Sequence, residues 1–155
     1  MFSYPITAKF HANAPPEAVW AAFEAVERWP EVLEQVGDTR IEPPGPLVTG
    51  AVIRSRSGPP EAPVEIEYRV ALAEPPRRLT LETDTLDWNG RTDYTIEPDD
   101  SGSRVTVVST MEVIGTLLRV QMFVVGRTLN AQRDAALRAR TQALLTLAER
   151  LAQQT

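Results

Sequence analysis

The chain has 155 residues, no cysteine and a formal net charge of −5. Without thiols there are no disulfides, no thiolate nucleophile and no cysteine-ligated zinc, and the acidic balance argues against a nucleic-acid partner, which needs a basic face. Hydrophobic residues at 43% and charged residues at 24% fit a globular chain with one core, so a single domain over residues 1–155 is expected.

The first element reads as a half-buried strand: Ile6, Ala8, Phe10 and Ala12 share one face, Thr7, Lys9 and His11 the other. Ala14-Pro15-Pro16-Glu17 opens a helix, since proline is tolerated in a first turn and glutamate complements the helix dipole. Val19, Trp20, Phe23 and Val26 give that helix its apolar stripe. A second short helix is expected from Trp29-Pro30-Glu31 to Gly37.

From Asp38 the texture changes to strands punctuated by glycine and proline. Arg40 to Glu42 is a short strand. Ala51 to Arg56 follows, with Ala51, Ile53 and Ser55 inward, because the other parity buries Arg54 and Arg56. Val64, Ile66, Tyr68, Val70 and Leu72 alternate with Glu65, Glu67 and Arg69 in the clearest strand of the chain. Leu79, Leu81 and Thr83 begin another inward row. Asp87-Trp88-Asn89-Gly90 reads as a hairpin turn, Asn-Gly being a favoured turn dipeptide. Tyr94 and Ile96 point inward after it, and Asp99 to Ser103 closes a further hairpin. Val105, Val107, Ser109 and Met111 face inward on the last strand.

The last quarter, from Thr116 to Gln153, reads as one helix, with Leu118, Met122, Leu129, Leu137, Leu144, Leu147 and Leu151 along one face. Unbroken it would be roughly 55 Å long, so a bend or late start is expected at Gly126. The window Val105 to Val125 is broken by Glu112, Arg119 and Gln121, which rules it out as a membrane span. The N-terminal residues carry no basic-then-apolar leader, so no signal peptide is expected, and the lack of cysteine suits the cytoplasmic location that is expected.

Several landmarks together resemble one family. They are Ala14-Pro15-Pro16-Glu17-Ala18-Val19-Trp20, then Trp29-Pro30, then Glu74-Pro75-Pro76-Arg77-Arg78-Leu79, then Gly102-Ser103-Arg104-Val105-Thr106, and the Ala/Leu/Glu-rich final helix. This pattern is similar to the START-like (SRPBCC) superfamily, and within it to the bacterial polyketide cyclase/dehydrase and lipid-transport group. The resemblance implies an α+β helix-grip fold: a curved antiparallel sheet of about seven strands around a long C-terminal helix, with two short helices after the first strand. It is carried by turns, caps and core positions rather than by catalytic residues.

For chemistry, His11 is the only histidine, and its parity places it on the outer face of the first strand. Glycines stand singly at turns, with no phosphate-cradling loop. The carboxylates Glu65, Glu67, Asp84, Asp87, Asp93, Asp99 and Asp100 fall on outward positions or in turns. No metal or cofactor is expected.

A pocket has better support. Trp29, Tyr68, Trp88 and Tyr94 combine apolar bodies with polar tips, and Met111 and Met122 are adaptable fillers. Ser55, Thr83 and Ser109 sit at inward parity and offer hydroxyls. Arg133 falls near the inward stripe of the final helix and could fork onto a ligand carboxylate; the plainer reading is a snorkelling chain, or one paired with Asp134 or a sheet residue. Ordinary core accounts for any one of these residues better than for the set, since each buried hydroxyl needs a partner.

Three functions follow as expectations: binding or transport of a hydrophobic or amphipathic small molecule between sheet and helix, an aromatase/cyclase-like enzyme using Tyr68, Tyr94, Ser109 and Arg133, or a protein-interaction module. The last rests on Leu117, Val120, Phe123 and Val124, more apolar surface than one helical stripe needs, which could receive a partner or a second copy in a homodimer.

Overall fold

The computed structural model describes residues 2–34, 36–59 and 61–154. Its strands are β1 (Phe2–Ala12), β2 (Val36–Glu42), β3 (Val52–Ser57), β4 (Val64–Glu74), β5 (Arg78–Asp84), β6 (Trp88–Asp99) and β7 (Gly102–Val113). Helix α1 (Pro16–Glu24) and a 3₁₀ helix (Val26–Glu31) follow β1, and helix α2 (Thr116–Gln153) ends the chain. The strands form one curved antiparallel sheet in the order β1-β7-β6-β5-β4-β3-β2. The first strand therefore lies beside the last, and the two helices after it carry the chain to the opposite edge.

The inward rows of the sheet meet α1 and the C-terminal part of α2 in one large core, where Phe23, Leu79, Ile96, Val107, Leu145 and Leu147 are buried. A smaller cluster joins Met111, Val113 and Met122, with Tyr4, Trp88, Leu118 and Leu129 packed on it.

Four local expectations are corrected. The second short helix is a 3₁₀ turn that begins at Val26 and ends at Glu31, drawn back onto α1 by the Trp29 Nε1 donor on the Ala22 carbonyl at 3.1 Å. Gly37 is no helix terminator but part of β2; Gln35, in the expected helix, lies outside the described residues.

In β4 the register slips between Val70 and Leu72. This bulge exchanges the two faces, so Ala73 rather than Leu72 packs on the core.

The β5–β6 turn spans Thr85 to Asp87, not Asn89-Gly90, which pair with Asp84 and Thr83 inside the ladder. Thr85 builds this turn: its Oγ1 accepts from the Asp87 and Trp88 amides and donates to the Trp88 carbonyl.

The bend in α2 falls at Val125 (φ −126°, ψ 22°), one residue before the expected Gly126. The β-branched valine takes the extended φ while the glycine resumes the helix.

Gly102 has a clear steric cause. A Cβ there would sit 2.0 Å from the Ala12 carbonyl oxygen, so only glycine lets β7 begin under the end of β1.

Candidate functional site

Period-two alternation on five strands and a helical stripe on α2 converge on a cavity of about 350 Å³ between sheet and helix. Ser55 comes from β3, Tyr68 from β4, Leu81 and Thr83 from β5, Trp88, Gly90 and Tyr94 from β6, and Ser109 and Met111 from β7. Trp29 closes one side from the 3₁₀ helix, and Arg133, Leu137, Arg140 and Leu144 descend α2 at helical spacing. A broader depression of about 740 Å³ shares Leu33, Val36 and Ser57 with this cavity, so the two adjoin at those side chains.

Of the ten residues singled out from the sequence, Trp29, Ser55, Tyr68, Thr83, Trp88, Tyr94, Ser109, Met111 and Arg133 line the cavity. Met122 does not. It lies on the arm of α2 before the bend, and packs with Met111 and Val113 in the smaller cluster.

Some of the polar groups are already satisfied. Ser55 Oγ lies 3.0 Å from Thr39 Oγ1, and Thr83 donates to the Glu67 carbonyl at 2.9 Å. Arg133 directs both terminal nitrogens at the Tyr4 carbonyl, each at 3.2 Å, and one of them also at Asn130 Oδ1 at 2.9 Å. It therefore pairs with the sheet rather than with Asp134, which bonds Arg138. Burial draws the Arg133 guanidinium below its ordinary pKa, yet an arginine remains a cation throughout the working pH range.

Other polar groups lack such partners. The side chains of Tyr68, Tyr94, Ser109 and Arg140 make no hydrogen bond among the described residues. Tyr94 is buried, its ring packed on Phe23 with centroids 4.8 Å apart. Burial first and Tyr68 second push the Tyr94 hydroxyl above its ordinary pKa against the pull of Arg140, so it stays a protonated donor.

Gly90 supplies shape. A Cβ there would approach Trp88 Cζ3 to 2.7 Å, so the bare glycine leaves room for the edge of the Trp88 indole in the cavity wall.

Two contributors escape the sequence reading. Gly90 reads there as a turn residue. Arg140 stands seven residues after Arg133 on the stripe of Leu137 and Leu144, a spacing that periodicity alone could have found. His11 lies away from the cavity: half exposed, it bonds Asp99 at 2.9 Å and Asn13 at 3.0 Å. No helix of the described residues is long and apolar enough to cross a membrane.

Comparison with known proteins agrees with this architecture. The model of the family described as polyketide cyclase / dehydrase and lipid transport matches residues 5–149. No curated protein matches. Among solved structures, the di-domain ARO/CYC StfQ of the steffimycin biosynthetic pathway superposes with a TM-score of 0.77 at 12% identity, over 98% of this chain and 51% of that one. A protein from Thermus thermophilus gives 0.71 at 14% identity, over 94% and 97% of the two chains. A Polyketide_cyc-like protein from Corynebacterium glutamicum gives 0.61 at 21%, over 97% and 92%. The chain spans about half the length of the di-domain structures it matches. At these identities the likeness is one of fold.

Proposed function

The chain belongs to the polyketide cyclase/dehydrase and lipid transport family, and from that premise we propose that it binds or carries a hydrophobic or amphipathic small molecule in the cavity between the sheet and α2. One observation carries this reading. A cavity of about 350 Å³ remains where sheet and helix would otherwise close on each other, within the size range of small-molecule sites. Its wall mixes apolar surface from Leu81, Met111, Leu137 and Leu144 with unpartnered hydroxyls, as an amphipathic ligand requires. The adjoining depression at Leu33, Val36 and Ser57 offers an entrance.

The test is native mass spectrometry and thermal shift against fatty acids, isoprenoids, quinones and aromatic polyketides, with Ala136→Trp as the cavity-filling variant. Ala136 lines the cavity from an exposed helical position, so tryptophan there should fold normally and abolish binding. Retained binding in A136W, or no ligand from any class, would defeat the proposal.

A cyclase-type reaction is the second reading, favoured because Tyr68, Tyr94, Ser109 and Arg133 all line the same cavity. It ranks lower because no carboxylate or imidazole lines that wall among the described residues, leaving no group of ordinary basicity to abstract a proton. Product formation from a poly-β-ketone mimic, lost in Tyr94→Phe, would reverse this order.

Self-association is proposed for a separate surface. Leu117, Phe123 and Val124 are 72%, 93% and 72% exposed on the first arm of α2. Sedimentation should show a dimer that Phe123→Ser dissociates; a wild-type monomer at high concentration removes the idea.

A further inference from the structure

The cavity wall has a marked charge bias. Arg91, Arg133 and Arg140 are among its lining residues, Arg91 from the outward parity of β6, and no aspartate or glutamate lines it among the described residues. This occurs in a chain where acids outnumber bases by 21 to 16.

The three arginines are not equivalent. Arg91 is neutralised by Asp93 at 3.2 Å. Arg133 spends its fork on the neutral oxygens of Tyr4 and Asn130, so its charge is held in place but not cancelled. Arg140 makes neither a side-chain hydrogen bond nor an ion pair among the described residues. The nearby helix acid, Asp134, is already committed to Arg138 at 3.0 Å.

Tyr94 stands within electrostatic reach of Arg140 and Tyr68, and its hydroxyl has no hydrogen-bond partner among the described residues. This part of the wall therefore presents donors with no protein acceptor opposite them. Donors left open beside uncancelled positive charge are complementary to an anion, and a guanidinium fork suits a carboxylate, sulfonate or phosphate better than a neutral hydroxyl.

We propose that the ligand of this cavity is an organic anion with an apolar body, and that Arg140, with the Tyr94 hydroxyl of the same wall, holds its acidic head while Trp88, Met111 and Leu137 take the body. This rests on the small-molecule reading above, and names the class of molecule. Arg133 has a different part: it locks β1 to α2 and adds fixed positive potential.

The test uses two fluorescent probes that share one aromatic frame and differ by a sulfonate, 8-anilinonaphthalene-1-sulfonate and N-phenyl-1-naphthylamine. Each is titrated into the full chain, into Arg140→Gln and into Arg140→Lys, with A136W locating the site. The wild type should bind the sulfonate about tenfold tighter than the neutral probe. R140Q should erase that preference by weakening the sulfonate alone, and R140K should keep most of it.

Equal affinity for the two probes in the wild type overturns the anion proposal and leaves the binding reading standing. So does a preference that survives in R140Q, whereas sulfonate binding that survives in A136W places the probe outside the cavity and overturns both. If neither probe binds any form, this inference falls, and the binding reading is decided by the ligand classes screened above.

Discussion

At the scale of single residues the site depends on what is absent as much as on what is present. Gly90 and Trp88 share the inward face of β6, two positions apart, so one methyl group at Gly90 must displace the indole whose Cζ3 would be 2.7 Å away. The clash is with a side-chain edge rather than with backbone, and the cavity lies on that side of the strand. Gly90→Ala should therefore leave the melting temperature within a few degrees while tilting Trp88 into the cavity and weakening any ligand. Tryptophan fluorescence and probe affinity measure both, and unchanged affinity with unchanged emission would show that the indole does not rest there. Ser55, Tyr68, Thr83, Tyr94 and Ser109 could be placed inward from parity alone, because a strand offers only two faces. The role of Gly90 was not legible, since Asn-Gly favours a turn locally and only the pairing of β5 with β6 shows that it lies within a ladder.

At the scale of elements, alternation made the strands of the sheet readable, and its failures have specific causes. The β4 bulge reverses parity without changing composition, so Leu72 and Ala73 exchange faces invisibly. The 3₁₀ turn replaces the expected helix because Trp29 bonds backward to Ala22, a tertiary preference that propensity cannot show. In α2 the helical composition was plain, whereas the position of the bend was displaced by one residue. The distortion sits on Val125, and Gly126 has helical dihedrals with only Met122 Cε near its missing Cβ, at 3.9 Å. Gly126→Ala should accordingly stabilise the protein by about 0.5–1 kcal/mol, chiefly by restricting the unfolded chain. Chemical denaturation checks this; a loss of stability would mean that the bend draws on the glycine after all.

At the scale of the whole molecule, the end of the grip remote from Trp88 is tied by one polar cluster. His11 at the end of β1 bonds Asp99 of β6, Asn13 of the β1–α1 loop and Ser101 of the β6–β7 turn. The Asn13 amide in turn donates to Glu149 near the end of α2, at 2.8 Å. The hydrogen bonds to Asn13 and then Asp99 hold the His11 pKa above its ordinary 6.5. At Asp99 partial desolvation opposes ionisation, but the Ser101 and Gly102 amides and His11 outweigh it and keep the pKa below 3.8. The signs fix the pH window. A raised histidine pKa means that the folded state binds the proton more tightly, so the contribution is complete below 6.5 and fades as pH rises through the raised value. A depressed aspartate pKa means the reverse, so its contribution is complete above 3.8 and fades as pH falls through the lowered value. The clamp is therefore strongest in mildly acidic solution. Thermal unfolding from about pH 4 to pH 9 should show wild-type stability declining on the alkaline side of the ordinary histidine range, and His11→Gln should lose that component of the slope. The effect is modest and shrinks with added salt, because the pair is solvent-exposed. An identical pH profile for H11Q would place the clamp elsewhere, and leave the Asn13–Glu149 contact to hold sheet and helix together at this end.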